Sequence, residues 1–257
     1  MKKIPVREQC PQVVTLSLFL GPEIDSYTFV IRGHVLFGTQ WLAINSESGL
    51  RYGIRRGEMR LDLDGAKSPI SGRAFIQPRP SVIQLKIRDV KVSNSQKESG
   101  LSGEISSKRF GVGTEVGGGS GESTYTEKEY NNSCELLIWT QGPEFQPSWV
   151  FKVKPDEHVL EGTVPAREWA TLRPLSRRLD VRVRFSVAAS DIVITMFEHP
   201  RFSWSHPNKK GIIRAYLLKR LKGYLRKNFE DAGCFWGGEL ILNQGEVSYD
   251  VAEECMD

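Results

Sequence analysis

The strongest constraint on the fold of this chain is a recurring alternation of apolar and polar residues. Residues 179–187 show it most clearly, since every second position from Leu179 to Val187 is apolar. Successive side chains of a strand point to opposite faces, so this pattern predicts a strand with one buried face and one in water. Shorter runs of this kind recur, and the 24 glycines and 13 prolines supply turns between them. About nine to eleven short strands predict an antiparallel β-sandwich or an open barrel.

Two later stretches give more specific predictions. An apolar run at 191–197 follows the clearest strand after a short connection at 188–190, which predicts a hairpin of two neighbouring strands. Residues 165–172 begin with a proline and carry Trp169 and Leu172 three residues apart. Proline is favoured in the first turn of a helix, so this stretch predicts a short helix with those two side chains facing inward.

A glycine-rich segment at 94–133 divides the β pattern into two parts. Eight glycines lie between Gly100 and Gly121, and apolar residues are scattered among them. Such a composition buries too little apolar surface to offset the entropy of ordering, and it predicts a flexible loop or a hairpin. We therefore expect an N-terminal β region at 1–93 and a C-terminal β region at 134–257 that together form one continuous domain.

Residues 99–118 within this segment have a weak alternation of their own. Apolar residues alternate with small or polar ones on both sides of a polar stretch at 106–109; they are Leu101, Ile105, Phe110, Val112 and Val116. Two such strands are what a membrane-inserting hairpin requires, and an ordinary surface hairpin is the alternative. A phosphate-binding loop is not indicated, because no Lys-Ser or Lys-Thr follows the glycines.

Only one segment, residues 208–229, shows a pronounced helical period. The residues that fall on one broad arc are Ile213, Leu217, Leu218, Leu221, Tyr224, Leu225 and Phe229, and those that lie outside it are Lys219, Arg220, Lys222, Arg226 and Lys227. No acidic residue occurs at 201–229, where Lys and Arg occur nine times. We expect a basic amphipathic helix that packs its apolar face on the sheet and attracts anions with the other. The residues expected to bind an anionic partner are Lys209, Lys210, Lys219, Arg220, Lys222, Arg226 and Lys227, together with Arg182 and Arg184 of the clearest strand.

The C-terminal residues have the opposite charge. From Glu246 onward the sequence contains no Lys or Arg, and it contains Glu246, Asp250, Glu253, Glu254 and Asp257. This acidic end follows the basic helix by fewer than about twenty residues, which raises the hypothesis that it folds back and screens Lys219, Lys222 and Arg226. A merely solvated tail is the alternative.

No motif predicts a catalytic or metal site. The four histidines have no ligand spacing, the four cysteines form no C-x-x-C pair, and a G-x-S-x-G motif is absent. We therefore expect a non-enzymatic protein with reduced thiols and without a cofactor or metal. Charged residues interrupt the N-terminal segment and no apolar run approaches the ~18 residues of a membrane span, so we expect a cytoplasmic location.

These features predict a β-rich binding protein that docks on a protein partner or an anionic membrane surface through its basic helix. A membrane-inserting, pore-forming-like effector that uses the hairpin at 99–118 is one alternative. A nucleic-acid-binding accessory subunit is the other, although no nucleic-acid-binding module is recognisable.

Overall fold

The computed structural model describes the backbone of residues 1–23, 27–45, 48–94, 123–155, 157–198, 207–228, 235–236 and 239–251. Within these ranges, side chains are described except at 82–94, 123–134, 198, 207–210, 222–228 and 235–236. The described residues form sixteen strands, one α-helix and two 3₁₀ turns.

The N-terminal strands are β1 (Lys2–Lys3), β2 (Val6–Glu8), β3 (Val14–Pro22), β4 (Phe29–Phe37), β5 (Gln40–Ala43), β6 (Gly49–Ile54), β7 (Arg56–Asp64) and β8 (Ala66–Lys67). The later strands are β9 (Arg79–Asn94), β10 (Ser123–Gln141), β11 (Ser148–Val153), β12 (Gly162–Pro174), β13 (Arg178–Ala188), β14 (Ile192–Glu198), β15 (Phe235–Trp236) and β16 (Glu239–Asp250). The helix is α1 (Pro207–Asn228), and the 3₁₀ turns span Ile70–Gly72 and Ala189–Asp191.

The predicted fold class is confirmed: the described chain is mainly β, its sheets are antiparallel, and its one α-helix comes late. Thirteen strands form one sheet, whose main path runs β1-β3-β4-β12-β9-β10-β11-β7-β13-β16-β15. Three others form a second sheet in the order β14-β6-β5.

Aromatic contacts show that the large sheet folds back on itself. Phe37 of β4 and Phe185 of β13 are separated by five strands on the sheet path, yet their ring centroids are 5.8 Å apart. Phe151 of β11 contacts Trp169 of β12 with centroids 5.8 Å apart. The buried faces of the two halves therefore pack on each other, as in a sandwich, and share one hydrophobic core.

Two local predictions are wrong. Residues predicted as a helix at 165–172 lie in strand β12, where Trp169 and Leu172 are both buried. Register shifts near Arg167 and Glu168 put extra residues into this strand, so buried positions no longer alternate strictly and imitate a helical spacing. The expected hairpin of β13 and β14 does not form either: β13 pairs with β7 and β16, whereas β14 pairs with β6 in the second sheet.

The helix prediction is confirmed to within one residue at each end. Leu217 and Leu221 of α1 are buried in the core, and Ile213 packs against it. These residues lie four apart, which is the spacing of one helix face. Lys219 and Arg220 are exposed. The apolar side of α1 is therefore used within the fold, whereas Lys219 and Arg220 remain accessible.

The glycine-rich region is described only in part. Its last residues, from Ser123 onward, belong to strand β10, whereas 95–122 and the predicted hairpin at 99–118 lie outside the described residues. The chain divides into two compact units, one formed by Met1–Leu85 and Ser133–Asp257 and the other by Lys86–Asn132.

Candidate functional site

The described part of the basic helix presents cations on its outer side. Arg220 donates from Nε to the Tyr216 hydroxyl at 2.9 Å, one helical turn earlier. Arg214 donates from Nη2 to the carbonyl oxygens of Ala189 and Ser190, at 3.2 and 2.8 Å, and so fastens the helix to the turn before β14. Among the described residues, no carboxylate forms an ion pair with Lys219 or Arg220. Anion binding by Lys219 and Arg220 stays a prediction.

The other predicted helix residues are placed only through the backbone. Lys209, Lys210, Lys222, Arg226 and Lys227 all lie on α1, and their side chains fall outside the described residues. Their part in anion binding stays a prediction.

The two arginines predicted on β13 lie on the solvent face of the large sheet. Arg182 donates to Glu246 of β16 at 3.3 Å. Arg184 donates to Asp62 of β7, and the two side chains are only 23% and 18% exposed. Each positive charge already has a carboxylate partner on a neighbouring strand, unlike Lys219 on the helix.

Glu246 and Asp250 of the acidic end are part of strand β16, where Asp250 lies opposite Arg178. The first residues of the acidic end therefore form part of the sheet rather than a free tail. Residues 252–257 lie outside the described part, and the screening of α1 by these residues stays a hypothesis.

A second accessible surface lies on the three-stranded sheet. Trp41 of β5 is opposite Arg51 of β6, and Arg51 is in turn opposite Met196 of β14. Trp41 and Met196 are 39% and 41% exposed although both are large and apolar. A Cβ atom at Gly49 would lie 2.1 Å from the Trp41 ring, so the glycine leaves the space in which the indole lies. We call Trp41, Arg51 and Met196 the outer row.

A titratable carboxyl lies close to the outer row. Burial raises the pKa of Glu161, nearby Arg51 opposes this shift, and Glu157 adds to it. The Glu161 carboxylate is therefore protonated more readily than the carboxylate of an exposed glutamate. Sequence reasoning missed the outer row, because Trp41 and Met196 are far apart in sequence and only the sheet topology places them beside Arg51.

The third notable feature is the pair of long strands. β9 has 16 residues and β10 has 19, and they are neighbours in the sheet. Strands of globular proteins usually have about 5–6 residues. The second compact unit, Lys86–Asn132, contains the later part of β9 and the earlier part of β10.

No helix among the described residues is long and apolar enough to cross a membrane. In the same part of the chain, no three His, Cys, Asp or Glu side chains are grouped so as to hold a metal ion.

Comparisons with known proteins identify no family. No protein-family model matches the chain, and no curated protein matches it. Among solved structures, the membrane-inserted form of the Clostridium perfringens NetB toxin is 9% identical, with a TM-score of 0.29, over 71% of this chain and 81% of its own. Clostridium perfringens delta-toxin is 8% identical, with a TM-score of 0.28, over 67% of this chain and 72% of its own. Scores this low do not establish a shared fold, so neither toxin's activity is transferred to this chain.

Proposed function

We propose that this protein binds a membrane and inserts the segment between β9 and β10 into it. The observation that carries the proposal is the pairing of two strands of 16 and 19 residues on either side of that segment. Both strands are much longer than the packing of a sandwich core requires. We infer that the additional length serves a hairpin.

The sequence divides this hairpin into two chemically different parts. The strand portions in Lys86–Asn132 are rich in charged residues, among them Lys86, Arg88, Glu127 and Glu129. The residues at 99–118 instead alternate apolar with small or polar side chains. On either side of the polar stretch at 106–109, the arms 99–105 and 110–118 have seven and nine residues. A membrane-spanning strand needs about 9–11 residues, so it would use the whole second arm and, in the first, residues before Ser99 as well. The charged strand portions suit an aqueous environment, and residues 99–118 suit strands with one face toward lipid.

Insertion of a single hairpin would leave two open strand edges in lipid. Unpaired backbone N–H and C=O groups cost several kcal/mol each there, so strands cross membranes only in closed sheets. The proposal therefore requires several copies of the chain to contribute one hairpin each. Assembly on the membrane follows from the chemistry of the backbone.

Two surfaces support a preceding docking step. The basic face of α1 carries exposed Lys219 and Arg220, which suit anionic headgroups. The outer row presents Trp41 and Met196 next to Arg51, and tryptophan is favoured at the boundary between headgroups and acyl chains.

Dye release from vesicles tests the proposal. Wild-type protein should release a trapped dye from vesicles of phosphatidylcholine and phosphatidylserine. Leu101→Lys places a charge on the apolar face of the first arm, away from the polar stretch at 106–109; such a charge costs about 2–4 kcal/mol at the bilayer centre, and the substitution should abolish release. Ser102→Lys, on the opposite face of the same arm, is the matched control and should retain release. Absence of release from any vesicle, or equal release by both variants, contradicts insertion.

Docking through α1 without insertion is a second candidate function. It is favoured by the division of the helix into buried Leu217 and Leu221 and exposed Lys219 and Arg220. Co-sedimentation with anionic vesicles, in the absence of dye release, would support this candidate over insertion. A salt-dependent mobility shift with nucleic acid, and no vesicle binding, would instead support the nucleic-acid alternative.

A further inference from the structure

The loop that precedes β9 contains a buried arginine with an unusual set of partners. Arg73 is only 5% exposed. Its guanidinium donates to the Ser68 carbonyl from Nε and Nη2 at 3.2 and 2.8 Å, to the Gly142 carbonyl from Nη1 at 2.8 Å, and to the Pro143 carbonyl from Nη2 at 3.0 Å. A fourth acceptor is the carbonyl of Gln141, at 3.4 Å from Nη1.

These acceptors belong to two parts of the chain that flank the long strand pair. Ser68 lies before β9, whereas Gln141 is the last residue of β10 and Gly142 follows it. The planar guanidinium fits several carbonyl oxygens at fixed angles, which a lysine ammonium does not reproduce. Burial lowers the pKa of Arg73, and nearby Glu144 opposes that shift. The carbonyl oxygens supply most of the hydrogen-bonding partners that replace water around this charge.

Backbone hydrogen bonds continue the same connection. Thr140 donates its N–H to the Phe75 carbonyl at 2.8 Å, and Ala74 donates to the Trp169 carbonyl at 2.9 Å. The Trp149 indole N–H donates to the Ala74 carbonyl at 3.0 Å. The loop before β9 is thus bonded to the end of β10 and to the strands β11 and β12.

Phe75 is held in an unfavourable conformation at the centre of this connection. Its φ is 59°, a value rarely adopted by bulky residues. Its ring packs on Trp169 with centroids 6.0 Å apart, and the Arg167 guanidinium carbon lies 4.4 Å from the ring centroid. Arg167 Nε is buried and has no hydrogen-bond partner in the described chain. Such strain persists only where surrounding contacts over-determine the conformation.

We infer that Arg73, Phe75 and Arg167 form a clasp that anchors the first residues of β9 and the last residues of β10 to the sandwich. The start of β9 and the end of β10 are therefore held at the same place, within the first compact unit. Rearrangement of Lys86–Asn132 can then proceed without separating residues 79–85 from residues 133–141. The clasp belongs to the free protein, and only its link to insertion rests on the proposed function.

Hydrogen exchange of the free protein tests the clasp. Arg73→Met should accelerate exchange at 79–85 and 133–141 by about tenfold or more, because a buried charged group and its hydrogen bonds are lost. Exchange in β13 and β16 should remain unchanged. Arg167→Met should have a smaller effect in the same segments. Arg178→Met is the matched control, since Arg178 is an exposed arginine paired with Asp180, and it should leave both segments protected.

The contradicting outcomes are distinct. Unchanged exchange at 79–85 and 133–141, equal acceleration in all strands, or failure of Arg73→Met to fold would each overturn the clasp as a local anchor. Dye release supplies a separate readout: Arg73→Met should reduce release while vesicle binding is retained. Absence of dye release by the wild-type protein would contradict the proposed insertion. It would not contradict the clasp, which the hydrogen-exchange experiment tests separately.

Discussion

The solvent face of the large sheet and the basic face of α1 are both rich in arginine and lysine, but their charges are arranged differently. On the sheet, Arg182 and Arg184 each meet a carboxylate on a neighbouring strand. On the helix, Lys219 and Arg220 have no carboxylate partner among the described residues. A count of basic residues therefore overstates how many are available to an external anion.

The physical origin of the difference is the neighbourhood that each element provides. A strand places side chains of two adjacent strands about 5 Å from each of its own, so opposite charges pair readily across the sheet. The exposed face of a helix has neighbours only on its own next turn, and here the stretch at 201–229 contains no acidic residue. We expect the sheet charges to serve stability and the helix charges to serve binding.

The largest expected effect comes from the buried side of α1. Leu217→Ala or Leu221→Ala should lower the free energy of unfolding by about 2–5 kcal/mol, because both leave a cavity in the core. Ile212→Ala is the control, since Ile212 is 69% exposed, and it should change stability by no more than about 0.5 kcal/mol. Urea denaturation measures both. Equal losses would show that the helix faces are assigned wrongly.

The exposed side of the helix should give the next largest effect, on binding rather than on folding. Lys219→Gln combined with Arg220→Gln should weaken binding to anionic vesicles by roughly 30-fold, from about 1 kcal/mol per charge near such a surface. Arg182→Gln combined with Arg184→Gln removes the same two positive charges from the sheet, so it is the charge-matched control and should leave vesicle binding nearly unchanged. Co-sedimentation at low and high salt measures both. If the sheet variant lost more vesicle binding than the helix variant, the assignment of binding to the helix and of stability to the sheet charges would be contradicted.

The sheet ion pairs should differ among themselves. Asp62→Asn should cost about 1–2 kcal/mol of stability, since it removes the negative charge from an ion pair whose two side chains are mostly buried. Glu246→Gln should cost no more than about 1 kcal/mol, because Arg182 and Glu246 are about half exposed. Urea denaturation in 0.05 and 0.5 M salt would separate them. An equal cost for both substitutions would show that burial does not determine the strength of these pairs.

The smallest expected effect is a pH dependence on the sheet face. Hydrogen bonds from Ser248 and Arg178 lower the pKa of Asp180 below its ordinary value of 3.8. The unfolded chain therefore binds this proton first, so the contribution of Asp180 to stability is present above pH 3.8 and is lost as the pH falls through the lower folded-state value. Asp180→Asn should make unfolding less steeply acid-dependent below that pH. An unchanged acid profile would contradict the assignment.

The sequence predicted those parts of the fold that depend on local periodicity. The helix at 208–229 is predictable because most of its apolar residues fall on one arc. The strand at 179–187 is predictable because apolar and polar residues alternate strictly throughout β13. The prediction of a helix at 165–172 is wrong because bulges near Arg167 change the spacing of buried residues in β12. Local pattern does not reveal a bulge, since register is set by the partner strand.

The candidate surfaces depend on contacts between strands that are far apart in sequence, and local sequence patterns do not predict such contacts. Arg182 and Arg184 alternate as expected, but their partners Glu246 and Asp62 lie far away in sequence. Arg73 lies in the segment between β8 and β9, whose composition does not distinguish a buried clasp from an exposed turn. Only the sheet topology brings Ser68 and Gly142 to the same guanidinium.

The central claim is that residues 99–118 enter lipid as strands, and site-specific fluorescence tests it most directly. Single cysteines at positions 101–105, in a background without the four native cysteines, would carry an environment-sensitive dye. On anionic vesicles, the emission should shift to the blue at positions 101, 103 and 105 and remain aqueous at 102 and 104, because alternate side chains of a membrane strand face lipid. Aqueous emission at all five positions, or a shift without alternation, would contradict the insertion of this segment as a strand.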